Sequence, residues 1–321
     1  MTQTGIYLKH SSEKKATFRE RSHCISCGSD KLHPIWQGRF SDEPTRSFIE
    51  SCHYSGDALA QLGEEHFSLV RCDCGMVFHQ KILTPQYLNL LYSEWINEDQ
   101  IKHMEAHYRV GSKQKVLFER GRQSTIHFLR LKKLLVSNET EGIRILDYGC
   151  GDGHFLALAK LFGFDTYGID FSSIRNEQSA KMGISIFNNL EALENRRIPK
   201  MHTVTLFQVL EHLEEPLTIL KKIANVMEDG GILIVEVPDC RGIKQPQDFF
   251  EFHFVQPLEH INAFTPTSLK RMCISAGFVA IKRIPAHVTT SFVDISHEQV
   301  SSFLQRSKTA QYFRLRKSLI Q

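Results

Sequence analysis

From Ile143 onward the apolar positions alternate between short continuous runs and stripes at helical spacing. IRILDYG, DTYGIDFS, ISIFNN, TVTLFQV and ILIVEVPD have the length and side-chain content of strands, whereas HFLALAKLFG, SIRNEQSAKMG and PLTILKKIANVMEDGG space their apolar residues as helices do and stop at glycine. Alternation of this kind predicts a parallel sheet with helices on both faces. TPTSLKRMCISAGF predicts a further helix, started at Thr265 or Thr267 with Pro266 beside them and ended by Gly277. FVAIKRI and TTSFVDI read as strands after it, and 297–321 reads as a basic amphipathic helix.

The first 140 residues have a different texture. Residues 1–22 are polar and of mixed charge, with no period, and are expected to be a flexible tail. Residues 23–80 are poor in apolar stripes and rich in Cys, His, Gly, Asp and Ser, which predicts a small loop-built module held by something other than a core. Within it HFSLVRC and GMVFHQ read as short strands. Thr84-Pro85 opens PQYLNLLYSEWI, where Leu88, Leu91, Tyr92 and Trp95 recur at helical spacing, and KQKVLFERGRQSTIHFLRLKKLL continues it past a break near Gly111. The segment 81–140 is therefore expected to be a helical linker or lid, followed by a sheet domain over 141–296.

Bulk composition narrows this picture only slightly. With 41% hydrophobic and 23% charged residues in 321, the chain is an ordinary globular one. A net charge of +3 demands no polyanionic partner. The opening residues lack the apolar stretch of a signal peptide, and no run is long enough to span a membrane, so a cytoplasmic protein is expected. Eight cysteines in a reducing compartment are not expected to form a disulfide framework.

Open parallel sheets bind ligands at the carboxyl ends of their strands, which directs attention to the loop after IRILD. It reads Asp147-Tyr148-Gly149-Cys150-Gly151-Asp152-Gly153, and Asp170 stands at the end of the next strand in YGIDFS. Alternate glycines allow a sharp turn and close approach of a ligand, and an acidic residue so placed accepts hydrogen bonds from ribose hydroxyls, which together indicate a nucleoside site. The third glycine comes one position earlier than in the dinucleotide fingerprint G-x-G-x-x-G, so NAD is the weaker reading.

ILDYGCGDG with YGID resembles the signature of class I S-adenosylmethionine-dependent methyltransferases. VTLFQVLEHLEEP, GGILIVEVPD and EHINAFTPTSLKRMCISAGF are similar to later blocks of that family, in the same order, and the resemblance covers about residues 143 to 285. It implies a Rossmann-like α/β fold and S-adenosylmethionine as cofactor. By the resemblance Asp147 closes the first strand, Gly149, Cys150, Gly151 and Gly153 form the loop against the methionine part, and Asp170 binds the ribose. Phe171, Asn189 and Leu190 would flank the adenine, and Gln208 would lie below the transferred methyl. His202 stands where similar sequences often open the fourth strand with aspartate. For a hydroxyl acceptor a base is needed, and histidine has the pKa for it. His260, His212 and His154 compete for this role, with His260 favoured because the resemblance places its block over the open face of the cofactor. Glu259 before His260 is a further catalytic candidate, as a carboxylate that orients the base, and Glu211 before His212 invites the same reading, although neighbours on a helix do not face each other.

The pairs Cys24-x-x-Cys27-Gly and Cys72-x-Cys74-Gly each resemble half of a zinc ribbon, which implies a structural zinc on Cys24, Cys27, Cys72 and Cys74. The second pair is one residue tighter than usual, and Cys52 or His53 offers a substitute ligand. The order of ribbon-like module, helical stretch and methyltransferase domain resembles bacterial methyltransferases of sugars and other small molecules. A small-molecule acceptor, a sugar or a natural-product intermediate, is therefore expected. The rivals are an RNA methyltransferase using the module to bind RNA, disfavoured because the module is not basic, and a non-catalytic binding protein that kept the pocket. Neither acceptor atom nor oligomeric state is legible in the sequence.

Overall fold

The computed structural model describes residues 15–52, 54, 56–96, 113–135, 140–171, 177, 179–282 and 308–316. The first half contains β1 (Phe18–Glu20), β2 (Leu32–Arg39), α1 (Thr45–Glu50), α2 (Gly56–Leu62), β3 (His66–Cys72), β4 (Val77–His79) and β5 (Lys81–Leu83). After them come α3 (Pro85–Leu90), which runs into a π turn at Leu91–Trp95, and the long α4 (Lys113–Leu134). The second half contains β6 (Arg144–Tyr148), α5 (His154–Leu161), β7 (Asp165–Ile169), β8 (Ser185–Phe187), α6 (Leu190–Asn195), β9 (Met201–Phe207), α7 (Pro216–Asn225) and β10 (Met227–Pro238). It ends with α8 (Phe249–Phe254), β11 (Asn262–Ala263), α9 (Pro266–Ser275), β12 (Phe278–Ile281) and β13 (Lys308–Leu315). Among the described residues no helix is long and apolar enough to cross a membrane.

The main sheet has the order β12-β13-β10-β9-β6-β7-β8. Neighbours from β10 to β8 pair in parallel, while β13 runs antiparallel to both β10 and β12. Both faces are covered, and alternation along each strand divides the core in two. Leu146, Leu233, Val235 and Phe313 meet α7 and α9 on one side through Leu220, Ile223, Leu269 and Met272. Ile145, Ile232, Ile234 and Tyr312 meet Phe128 and Leu131 of α4 and Phe155 and Leu156 of α5 on the other. Strands buried on both faces read as unbroken apolar runs, which is why they were visible in the sequence.

Four expectations are corrected. The C-terminal helix is not formed over its described part, because 308–315 is β13. Its adjacent Tyr312 and Phe313 enter opposite cores, a two-sided strand whose basic neighbours imitate an amphipathic helix. The other strand expected there, TTSFVDI, lies outside the described residues. The tail is ordered from residue 15: β1 pairs with β5, and Arg21 is buried. The module at 23–80 has a core of its own, in which Trp36, Phe40, Phe67 and Leu69 pack with Phe252, Val255 and Leu258. Its sheet, of order β11-β4-β3-β2, takes its edge strand from residues 262–263, so the later chain completes it. Finally, α4 packs on the main sheet as one of its covering helices and is not a separate linker. Residues 97–112 of the expected lid lie outside the described residues.

Candidate active site

Strand order reverses at β6: the chain steps outward through β7 and β8, then returns to β9 and β10 on the other side. Such a reversal leaves a crevice beyond the carboxyl ends of the strands, and the glycine loop fills its mouth. The Gly149 and Cys150 amides donate to Ile169 O at 2.7 and 3.0 Å, and the Gly151 amide donates to Asp170 Oδ2 at 2.8 Å. Gly149, Gly151 and Gly153 have φ of +78°, +52° and +72°, the left-handed region that favours glycine.

Gly149 is fixed twice over. A Cβ there would lie 2.4 Å from Val209 Cγ2, so the loop after β9 packs directly on the loop after β6. Gly149→Ala is therefore expected to lose roughly 2–4 kcal/mol in denaturant unfolding, from left-handed strain and overpacking together. Adding Val209→Ala should restore only part of it; full stability in the single variant would contradict this packing.

Asp147 is buried at the end of β6 and accepts a hydrogen bond from Thr205 Oγ1 at 2.7 Å. Burial pushes its carboxyl from 3.8 up to about 7; the Thr205 hydroxyl opposes the shift and the Asp170 charge adds to it. The folded state thus holds a proton that the unfolded chain releases between those two values, so stability from this group falls as pH rises from about 4 to about 7, by at most about 4 kcal/mol. Asp147→Asn, which retains the Thr205 bond, should flatten the fall in melting temperature across that window. An unchanged slope would refute the assignment.

Other residues of the expected cofactor site divide. Phe171 is 76% exposed beside Asp170, free to cover a flat ring. Gln208 has φ +57° and a buried Nε2 with no partner among the described residues, a donor in want of an acceptor. Cys150, by contrast, turns its thiol beneath Gly168 into the core, where a Cβ on that glycine would stand 2.6 Å from Sγ. Asn189 caps α6 by accepting from the Ala192 amide at 2.8 Å, and Leu190 is buried in the core; these two side chains are engaged in the protein itself. His202 accepts from the Arg144 amide at 3.1 Å, filling the place of the absent aspartate.

The crevice's other side carries the histidines. His212 ends a single 3-10 turn, Leu210–His212, and its ring lies 4.8 Å from that of His260. Asn262 draws the two segments together: its Nδ2 donates to Leu210 O and Leu213 O at 2.9 and 2.6 Å, while its Oδ1 accepts from Arg21 Nη1 at 2.9 Å. Arg21 also donates to the Ile261 carbonyl at 2.7 Å, and burial lowers its pKa to about 9. His260 is buried, and burial, then His212 and His253, holds its pKa well below the usual value. Glu259 does not face it as a simple partner: its Oε1 accepts from Tyr54 at 2.6 Å and from Gln256 Nε2 at 3.1 Å. Glu211 is fully buried, which pushes its carboxyl up to about 8. His154 is exposed on the glycine loop, 4.0 Å from Asp152. Arg21, Tyr54, Gln256 and Asn262 gave no sequence signal, since each acts through a partner more than 45 residues away.

The four ribbon cysteines converge, with Sγ atoms all within 4.8 Å of one another and the Cys24–Cys74 and Cys27–Cys72 pairs at 3.6 Å. That spacing is far too long for a disulfide and suits the edges of a tetrahedral thiolate site. The tight second pair succeeds because Gly28 and Gly75, at φ +73° and +86°, turn both loops back on the thiols. Cys52 lies elsewhere, with its thiol 3.6 Å from Gln256 Oε1, and His53 is outside the described residues.

A family model described as "Methyltransferase domain" matches residues 118–283, just over half of the chain. Ubiquinone biosynthesis O-methyltransferase of Xanthomonas euvesicatoria pv. vesicatoria is 26% identical over 125 residues, 36% of this chain and 52% of that protein. The Neisseria meningitidis serogroup C protein of the same name is 24% identical over 182 residues, 49% of this chain and 74% of that one. The chain thus spans about half the length of the first of these relatives. Among solved structures, an S-adenosylmethionine-dependent methyltransferase from Mesorhizobium loti is 16% identical with a TM-score of 0.43, covering 57% of this chain and 95% of that one. Another, from Archaeoglobus fulgidus, is 19% identical with a TM-score of 0.42, covering 62% and 99%. With the family match running from α4 to β12, over a sheet whose reversal point holds the glycine loop and Asp170, the chain belongs to the class I S-adenosylmethionine-dependent methyltransferases.

Proposed function

We propose that the enzyme methylates a hydroxyl of a small organic molecule seated on the β9–β10 side of the crevice. The observation that carries this reading is a cavity of about 830 Å³ just beyond the carboxyl end of β10, lined among others by Ile35, Arg71, Asp239, Lys244, Phe250 and Phe254. Its size suits a small molecule, and its walls mix apolar and polar groups as such sites do. Phe254 joins it to His253, whose ring is 5.3 Å from that of His260.

When bound, S-adenosylmethionine supplies a methyl on a positively charged sulfur, so the protein's work is alignment and exclusion of water. Asp170 would hold the ribose, Gly149 and Gly151 would admit the methionine part, and the buried Gln208 amide would be available to donate to the cofactor. His212 and His260 orient the acceptor hydroxyl, and its proton leaves on the partly exposed His212 side. Glu259 positions this segment through Tyr54. The four cysteines would hold a structural zinc ion that ties the loop before β2 to the β3–β4 hairpin.

A hydroxylated acceptor agrees with relatives named as O-methyltransferases. A sugar or natural-product intermediate remains within that class, with nothing favouring the sugar. The aromatic face of the module, Trp36 and Phe67, is buried against Phe40, His79 and Phe252, so these rings are not available to stack on RNA bases. The test is incubation with trideuteromethyl-labelled cofactor and a panel of phenols, sugars and other hydroxylated compounds, read by mass spectrometry. Label on an acceptor oxygen is expected; label only in RNA would overturn the reading.

A further inference from the structure

Glu211, His212 and His260 each offer a ligand atom, and these atoms lie within 4.8 Å of one another. Glu211 is 0% exposed and His260 only 7%. Apart from its own backbone amide, no group among the described residues hydrogen-bonds either Glu211 oxygen. The ring of His260 is held by the His253 backbone, and its Nδ1 has no partner among the described residues. His212 Nδ1 is 3.4 Å from the Tyr92 hydroxyl, which fixes the ring edge-on to His260. Burying a carboxylate and an imidazole nitrogen without partners is costly, and apolar side chains of similar size would fill the space at lower cost. Two such groups, Glu211 and His260, converging on one point with a ring nitrogen of His212 are accounted for by a cation between the three.

We propose that Glu211, His212 and His260 form a second metal site, which takes a divalent first-row transition metal such as zinc, cobalt or manganese. Two imidazoles and one carboxylate are ligands for that series and not for magnesium or calcium, which prefer all-oxygen shells. Three protein ligands leave open positions, the mark of a site that receives something from outside the protein. The site differs in kind from the thiolate cluster, so the two select ions by different chemistry. Its Glu211 and His212 also follow Val209 in the loop after β9, which packs on Gly149 of the cofactor loop. For its use the inference rests on the acceptor reading above: His212 and His260 would orient the acceptor hydroxyl through the ion they ligate, the ion would polarise it, and its proton would still leave on the partly exposed His212 side.

Cobalt separates the sites by colour, because thiolate ligation gives intense sulfur-to-metal charge-transfer absorption and nitrogen–oxygen ligation does not. The full chain, stripped of metal and titrated with Co²⁺, is expected to bind two ions, one with and one without these bands. Glu211→Gln and, separately, His212→Asn should weaken the second ion by at least about tenfold to a hundredfold while leaving the sulfur bands intact. Cys27→Ser should remove the sulfur bands and leave the second ion. His212 is partly exposed, so its variant is expected to fold even if the Glu211 variant does not, and near-ultraviolet circular dichroism checks both. A single ion with sulfur bands at saturation, or a second ion indifferent to both substitutions, would overturn the site. The readout is metal alone, so failure to find an acceptor leaves it standing, and methyl transfer by a protein with no second ion would separate the two claims in the other direction.

Discussion

Asp170→Ala is expected to fold and to lose S-adenosylmethionine. The carboxylate stands at the end of β7, beside the loop after β6, where the proposed function has it accept from both ribose hydroxyls. Hydrogen bonds to a charged acceptor contribute about 1.5–3 kcal/mol each, so losing both should weaken binding by at least about 100-fold in calorimetry. The substitution also frees the Gly151 amide and loosens the loop after β6. Asp170→Asn, which keeps an acceptor but not the charge, should fall between the two. Within the fold the carboxylate accepts from the Gly151 amide and lies close enough to Asp147 to disfavour its charge, so in the variant the Asp147 carboxyl should ionise more readily. Unchanged affinity in a folded Asp170→Ala protein would move the cofactor away from this crevice.

The second large effect concerns the cysteines. Cys24 and Cys72 are 4% and 1% exposed and share one core with Val70, Met76 and Phe78 of the module and Leu206, Leu210 and Phe264 of the catalytic half. If the cluster holds zinc as proposed, losing it would leave thiols buried without a ligand and open the β3–β4 hairpin. His79 at the end of β4 accepts Arg21 through its carbonyl, and Arg21 reaches on to Asn262, so the disturbance passes to the His260 segment. Structural zinc contributes about 10 kcal/mol or more in small domains, comparable with the whole stability of a protein. Cys24→Ser is therefore expected to lose one zinc and to become protease-sensitive across 23–80. Cys27 is exposed, so Cys27→Ser removes a ligand without disturbing packing, and it should show the same zinc loss and a lower melting temperature. Full stability and full zinc in Cys27→Ser would contradict a structural ion.

The main sheet was legible because its strands are buried on both faces and its helices stop at glycine. β13 was not, because Tyr312 and Phe313 serve opposite cores and its partners β10 and β12 are distant in sequence or follow a long gap. The second core of the module was missed for a related reason: Trp36, Phe40 and Phe67 are spread over short elements, and Phe252 and Leu258 come from the far half of the chain. At the site, the glycine loop, Asp170 and the four cysteines could be read because their chemistry is local and spaced. Glu211 was set aside on the rule that adjacent helical residues diverge, which holds for an α-helix. The segment is instead one 3-10 turn, in which Glu211 and His212 both offer atoms to the same point as His260. That convergence depends on Asn262 and Arg21, and no local pattern marks either.

A crystal structure with S-adenosylhomocysteine tests the cofactor site most directly. The account predicts both ribose hydroxyls on the Asp170 carboxylate, the adenine against Phe171 and the amino-acid part along Gly149 and Gly151. A nucleoside seated elsewhere, or a crevice closed to it in a protein that binds it in solution, would contradict the account.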